Sequence, residues 1–494
     1  MNSVNLAADA AHIVPLVILC GAACMILLGD AFVWRTSQDA NPLLALLGIF
    51  GALAAVLQRT GPEAAGYGFA GTIATDTISV SSSIALLITG FLSVLLAWTY
   101  LKNRGLEHGE YYALLLFSVA GAMLMASAND LLVLFLGLEV LSFALYVMAG
   151  FARTEEKSEE SSIKYFLLGA FASAFFLYGI ALVYGATRTT QLDSILRILG
   201  QGAAITPMML AGVALMLVGL AFKAAVIPFH QWTPDVYEGA PTSVTAYMAA
   251  GAKIGAFAAI LRVFGALLPL EQFWLGAIQI LAILTMVFGN LLAVTQTNVK
   301  RMLAYSSIAH AGYLLVAVAA MAHPVPGTSQ PGPAHDLAIG ASLFYLFAYT
   351  FMTLGAFGVL VYLSGRSRDY QNLGDLRGLA RHDPLAAYSM LFFLLSLGGI
   401  PPTMGFMGKW QIFLAALKAH EIALAIVMAL TSVIAVYYYL RIVWMMCFEE
   451  PREAAPAAPV ARFGAGATVF LAAGTTVLFG VAPMLISSLT TVAR

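Results

Sequence analysis

Four ionisable side chains stand inside long apolar runs, where only pairing or chemistry gives them a reason to be. They are Glu139 in Leu136-Gly-Leu-Glu139-Val-Leu-Ser142, Lys223 at the end of Gly219-Leu-Ala-Phe-Lys223, Lys253 in Ala252-Lys253-Ile254, and Lys409 in Gly405-Phe-Met-Gly-Lys409. One acid and three amines make the composition of a proton relay. Desolvation disfavours a charged amine, a neighbouring carboxylate holds it protonated, and separating the two releases the proton. The competing reading is a set of static ion pairs or snorkelling chains, but snorkelling serves helix ends rather than their middles. His230, five residues before Asp235, and His310, in Ser306-Ser-Ile-Ala-His310-Ala-Gly-Tyr313, could extend such a relay or simply hydrogen-bond loose backbone. Lys164 could tune Glu139, although a cation at the inner end of a span is explained equally well by membrane orientation. Lys300 and Arg301 read as plain orientation signals.

These residues need elements that hold them at depth. The chain has 494 residues, 61% hydrophobic and only 10% charged, against roughly 25% charged in soluble proteins. It reads as an integral membrane protein, all-α and polytopic, and its net charge of −1 argues against a nucleic-acid partner. Hydropathy and chain breakers predict fourteen spans, at 12–34, 41–58, 76–101, 110–127, 131–151, 162–186, 206–227 (with a broken extension to about 238), 241–264, 273–295, 302–321, 336–363, 384–417, 422–447 and 463–489. The first starts without a basic leader and is expected to be retained. Lys253 lies twelve residues past Pro241, about 18 Å along its helix and so near the middle of a hydrocarbon core about 30 Å thick. A charge there costs on the order of 2.5–3.5 kcal/mol. Glu139 and Lys409 sit about 12 Å from the ends of spans 5 and 12.

Spans 7 and 12 are overlong. Pro228 and Pro234 interrupt the first, and Leu397-Gly-Gly-Ile-Pro401-Pro402-Thr403 the second; proline removes backbone donors and invites a break. Broken spans in corresponding positions of two halves suggest inverted repeats around an ion pathway, here spans 4–8 and 9–13. The implied division is 1–108, an N-terminal three-helix segment; 109–268 and 269–449, the two five-helix repeats; and 450–494, a C-terminal helix. With the N-terminus outside, fourteen basic residues (Arg35, Arg366, Arg368 and Arg452 among them) face in and six (including Arg494) face out, which puts both termini outside by the positive-inside rule. The three cysteines, Cys20, Cys24 and Cys447, read as small apolar residues; two thiols at i, i+4 cannot hold an iron–sulfur cluster. No metal-ligand set, phosphate loop or haem motif is present, so any redox chemistry belongs to another chain.

The Glu139 context, the Lys223-to-Lys253 stretch, Ser306-to-Tyr313 and Gly399-Ile-Pro-Pro-Thr-Met-Gly-Phe-Met-Gly-Lys409 resemble the antiporter-like membrane subunits of respiratory complex I, above all the subunit N branch of bacterial NADH–quinone oxidoreductase. The resemblance spans essentially the whole chain. It implies fourteen helices in two inverted five-helix repeats with helices 7 and 12 discontinuous. It assigns the relay glutamate to Glu139 and the relay lysines to Lys223, Lys253 and Lys409, a lysine at the last position favouring branch N over its sibling M. It implies a proton-translocating subunit of the bacterial inner membrane, without cofactor, driven by quinone reduction elsewhere. Its partners would be other complex I membrane subunits, lipids, and chains carrying FMN and iron–sulfur clusters. The D-type subunit of multisubunit cation/proton antiporters shares these motifs, and a non-transporting scaffold is a third reading, disfavoured by four charges at depth.

Overall fold

The computed structural model describes residues 6–33, 39–60, 65–323, 332–365, 369–450 and 462–491, and most of them are helical. In chain order the helices are α1 (Leu6–Phe32), α2 (Ala40–Leu57), α3 (Thr77–Arg104), α4 (Gly109–Ser127), α5 (Leu131–Ala149), α6 (Glu156–Thr187), α7 (Leu192–Gly200), α8 (Pro207–Lys223), α9 (Trp232–Gly239), α10 (Thr242–Tyr247) and α11 (Lys253–Ala266). They continue with α12 (Glu271–Val294), α13 (Val299–Met321), α14 (His335–Leu363), α15 (Leu379–His382), α16 (Pro384–Gly398), α17 (Met404–Lys418), α18 (Ile422–Phe448), α19 (Phe463–Val481) and α20 (Met484–Thr490). Arg35, Arg366, Arg368, Arg452 and Arg494 of the charge asymmetry lie outside the described residues.

Among the described residues, twelve helices are long and apolar enough to cross a membrane. Two further apolar runs are halved: α8 stops at Lys223 and resumes as α9, and α16 stops at Gly398 and resumes as α17. The ends follow from local sequence. Asp383 accepts from the Ala386 amide with Pro384 in the first turn of α16, and Gly399, at φ +83°, takes the left-handed conformation that ends it. Thr403 then caps α17 by accepting from Phe406. The α10–α11 run, α13 and α14 are wrapped by other helices on nearly every side, whereas α1, α2, α6, α12, α18 and α19 show broad apolar faces outward. That is the arrangement a bilayer requires, with all backbone bonding inside helices and apolar side chains facing lipid.

Three features depart from the sequence reading. A short antiparallel hairpin, β1 (Gly66–Gly68) with β2 (Ile73–Thr75), interrupts the all-α pattern. The amphipathic α7 lies in a stretch read as loop. And the Lys253 helix, expected to be unbroken, passes through a π-helical turn at Met248–Ala252 immediately before the lysine. Three alanines and a glycine in that turn leave room for the wider coil, and such turns recur where a helix serves a site.

Two local staples repeat each other. Leu131 donates to the Thr190 carbonyl and Leu192 to that of Asn129, both at 2.9 Å; Val299 donates to Gln371 at 2.6 Å and Leu373 to Thr297 at 2.9 Å. Each staple joins the start of one helix (α5, α13) to the loop after the next (α6, α14). Elsewhere Arg441 caps the end of α12 through the carbonyls of Val294 and Gln296, as a cation at a helix C-terminus should.

Glu421, at the start of α18, accepts from Gln279 at 2.6 Å and meets His323 Nε2 at 2.8 Å. Burial pushes its carboxyl up, but the bonds to His323 and Gln279 outweigh it and hold the group below the usual carboxylate range. A depressed folded-state value gives stability that is present above the ordinary carboxyl pKa, about 4.3, and is lost as pH falls through the depressed one. Thermal unfolding of the detergent-purified protein should therefore lose part of this tie in acid. Glu421→Gln should lower Tm at neutral pH and shrink the acid-induced drop; an unchanged pH dependence would show that the tie does not contribute.

Candidate functional site

Lys223, 5% exposed, ends α8 and donates to Ser142 Oγ at 2.8 Å and Tyr165 Oη at 3.2 Å. Ser142 lies one turn beyond Glu139 on α5, and Glu139 is within electrostatic reach of Lys223. One Glu139 carboxylate oxygen is buried without a hydrogen-bond partner. A cavity of about 10 Å³, lined by Ser142, Tyr146, Ser173 and Lys223 among others, adjoins the amine, and one water needs about that room.

The break after Lys223 is held open by side chains. Trp232 stacks on Tyr165 with centroids 4.4 Å apart, and its Nε1 donates to the Phe222 carbonyl, which the tightened end of α8 also offers to the Ala225 amide. Thr285 accepts the amide of Ile227, beside Pro228. His230 sits in this turn, half-buried, 6.4 Å from the Tyr305 ring, with Nδ1 unpartnered.

Lys253, 4% exposed, donates to the Ser307 carbonyl and lies over the Tyr349 ring at 4.9 Å. His310 bonds Tyr345 Oη through Nδ1 and lies 3.3 Å from Tyr439 Oη through Nε2. Its ring also neighbours Tyr313 and Tyr349, and both Lys253 and Lys409 are within electrostatic reach. Lys409 donates to the carbonyls of Leu397 and Gly398, each at 3.0 Å, and covers the Tyr313 ring at 4.9 Å. The break at Gly399, Pro401 and Pro402 thus performs a task. It frees the last carbonyls of α16, the negative end of a helix dipole, and the ammonium on α17 occupies them.

The structure therefore gathers Lys253, His310 and Lys409 among the same rings and hydroxyls, and sets Glu139 within electrostatic reach of Lys223, whose amine rests on Ser142. It places Lys164 elsewhere. That side chain, 41% exposed, pairs with Glu160 at 2.6 Å and Asp235 at 2.9 Å, in a surface network that continues through Arg301 and Glu238 to Lys157. Among the described residues no group of His, Cys, Asp and Glu is placed to hold a metal.

A family model for the membrane domain of NADH:quinone oxidoreductases and Mrp antiporters matches residues 128–435. The chain is 43% identical, over 95% of its length and 94% of the relative's, to NADH-quinone oxidoreductase subunit N 1 of Solibacter usitatus. It is 47% identical to subunit N 1 of Sorangium cellulosum over 78% of this chain and 76% of that one. The chain belongs to the NADH-quinone oxidoreductase subunit N family. Among solved structures, a chain of respiratory complex I from Thermus thermophilus superposes with a TM-score of 0.79 at 35% identity, covering 96% of this chain and 98% of that one. A chain of the Mrp complex from a Dietzia species shares the fold, with a TM-score of 0.82 at 22% identity and coverage of 98% and 96%.

Within this family fold, a second lysine besides Lys164 is not where sequence reasoning put it. Lys300, read as a plain orientation signal at a span's mouth, is 1% exposed and donates to the Ala240 carbonyl at 2.6 Å. The signal was slight, a lysine one residue inside a helix beside a second cation, and its surroundings come from segments distant in sequence.

Proposed function

We propose that Glu139, Lys223, Lys253 and Lys409, helped by His310 and His230, pass protons through this chain in its role as a proton-translocating membrane-arm subunit of NADH–quinone oxidoreductase. The observation that carries this reading is the way Lys253 and Lys409 are held. Among the described residues neither has a carboxylate partner; both rest on backbone carbonyls and aromatic faces. A static buried ion pair needs its anion, whereas a site that must accept and lose a proton needs acceptors that suit both states.

The same reading takes the twelve long helices and the two broken runs as fourteen crossings, with both termini outside the inner membrane. Spans 4–8 and 9–13 form inverted repeats, within the division 1–108, 109–268, 269–449 and 450–494. The two staples support this, since they recur one repeat apart on the helices that the symmetry relates. The chain works beside other membrane subunits and lipid, while FMN, iron–sulfur clusters and quinone reduction belong to the rest of the complex. Identities above 40% to subunit N relatives, against 22% for the Mrp chain, favour this over a cation/proton antiporter.

Glu139→Gln keeps the shape and removes the charge that holds Lys223 protonated. In inverted membrane vesicles it is expected to lower NADH-driven acidification by about tenfold, less than the roughly 10²–10⁴-fold of a lost general acid or base, with the complex intact on native gels. Acidification equal to that of the parent in assembled complexes would remove Glu139 from the relay.

A further inference from the structure

Beyond the central residues, the end of α10 that faces the Lys164–Asp235–Arg301 network holds a buried cluster of opposite charges. Asp369, with a side chain 6% exposed, accepts from Tyr100 Oη at 2.9 Å and Thr242 Oγ1 at 3.4 Å on one oxygen. Its other oxygen accepts no hydrogen bond, with Arg104 3.6 Å away. Arg104 is engaged by Glu155. Lys300 reaches the Ala240 carbonyl, two residues before Thr242, and lies within electrostatic reach of Asp369, Glu155, Glu238 and Arg104. Glu238 itself is tied to Lys157 and Arg301.

Between this cluster and Lys253, α10 and the helices around it carry separate hydroxyl groups rather than one bonded row. Ser243 accepts from Tyr111 at 2.8 Å, and Thr245 donates to the Tyr237 carbonyl at 3.0 Å. Beyond them the buried hydroxyls of Tyr247 and Ser307 close no hydrogen bond of good geometry; Ser118 approaches the former, and Tyr237 and Tyr349 the latter, whose residue supplies the carbonyl that holds Lys253. Buried hydroxyls left without partners are costly, on the order of 1–3 kcal/mol each, and are places where water completes a chain. The distance from Pro241 to Lys253, about 18 Å, is too long for one proton hop and suits spaced hydroxyls of this kind.

We propose that the Asp369–Lys300 couple is the station at which protons are taken up from the inner side before passing along α10 to Lys253. The inference rests on Lys253 being a proton carrier. The amine on the Ala240 carbonyl and the carboxylate on Thr242 stand two residues apart along the chain, so a proton passed between them by way of water leaves the net buried charge unchanged, and the surrounding charges concentrate cations at the mouth.

The test uses the assembled oxidoreductase in inverted vesicles, whose bathing buffer is the inner side. Asp369→Asn is expected to slow NADH-driven proton uptake about tenfold near pH 8 and hardly at all near pH 6, because loading limits only when protons are scarce. A deficit equal at both pH values marks a structural role and overturns the proposal. Lys300→Arg keeps a cation at the Ala240 carbonyl but cannot release its proton; it should pump as poorly as Lys300→Ala, and full pumping by it would remove Lys300 from the step. Should Asp369→Asn complexes fail to assemble, Tyr100→Phe decides. It deletes one hydrogen bond to the carboxylate at constant ring volume, so the pH at which uptake falls should move, and an unmoved profile rejects Asp369. Lys253→Ala separates the two failures. If it stops pumping at every pH while the Asp369 and Lys300 variants pump normally, only the loading station is wrong; if it pumps normally, the relay itself is wrong.

Discussion

Complexes carrying Lys253→Ala are expected to assemble and to translocate almost no protons through this subunit. The helix that bears Lys253 is enclosed by its neighbours along its whole length, so its packing survives the loss of one side chain. The Ser307 carbonyl that accepts from the amine belongs to the interior of α13 and keeps its place in that helix. Lys253→Arg should fail equally, since a guanidinium keeps its proton at physiological pH. NADH-driven acidification, with assembly followed on native gels, gives the answer. Normal pumping by assembled Lys253→Ala complexes would leave the relay to Lys223 and Lys409 alone.

Lys409 should separate structure from transfer. Its ammonium occupies two carbonyls at the cut end of α16. Lys409→Ala strands both in the membrane interior, where unsatisfied backbone groups cost several kcal/mol, and is expected to reduce both the amount of complex and its pumping. Lys409→Arg supplies donors to the same carbonyls, so assembly should recover while pumping does not. If Lys409→Arg restores both, the residue is a plug for the helix break and no carrier.

The broken helices and their lysines were legible because proline and glycine announce the breaks and an amine in an apolar run has no ordinary excuse. Other parts carried no such mark. The π turn is written in alanine and glycine, which fit a regular helix as well. Tyr165, Tyr313, Tyr345, Tyr349 and Tyr439 line the site, yet tyrosines on apolar helices are commonplace. Lys300 and Lys164 had their weights reversed. Each is a lysine near the end of a span, and only the folded chain shows Lys300 enclosed and Lys164 at the surface with Glu160 and Asp235. Partners from distant segments decide burial, and sequence spacing does not reveal them.

The π turn has a consequence for how this chain tolerates change. A turn that holds one residue more than the α-helical ladder requires is an insertion kept in place. Deleting one of Met248–Ala252 would let the ladder close as a regular α-helix with α10 and α11 still in register. The anchors at the two ends, Thr242 on Asp369 and Arg262 bidentate to Asp76, would then stay in place. The same deletion within α11 would instead turn the helix by about 100° and pull Arg262 from Asp76. A relative with a regular helix here should therefore align with a single gap between Met248 and Ala252 and keep both anchors, and a one-residue deletion should be tolerated in the π turn and not in α11.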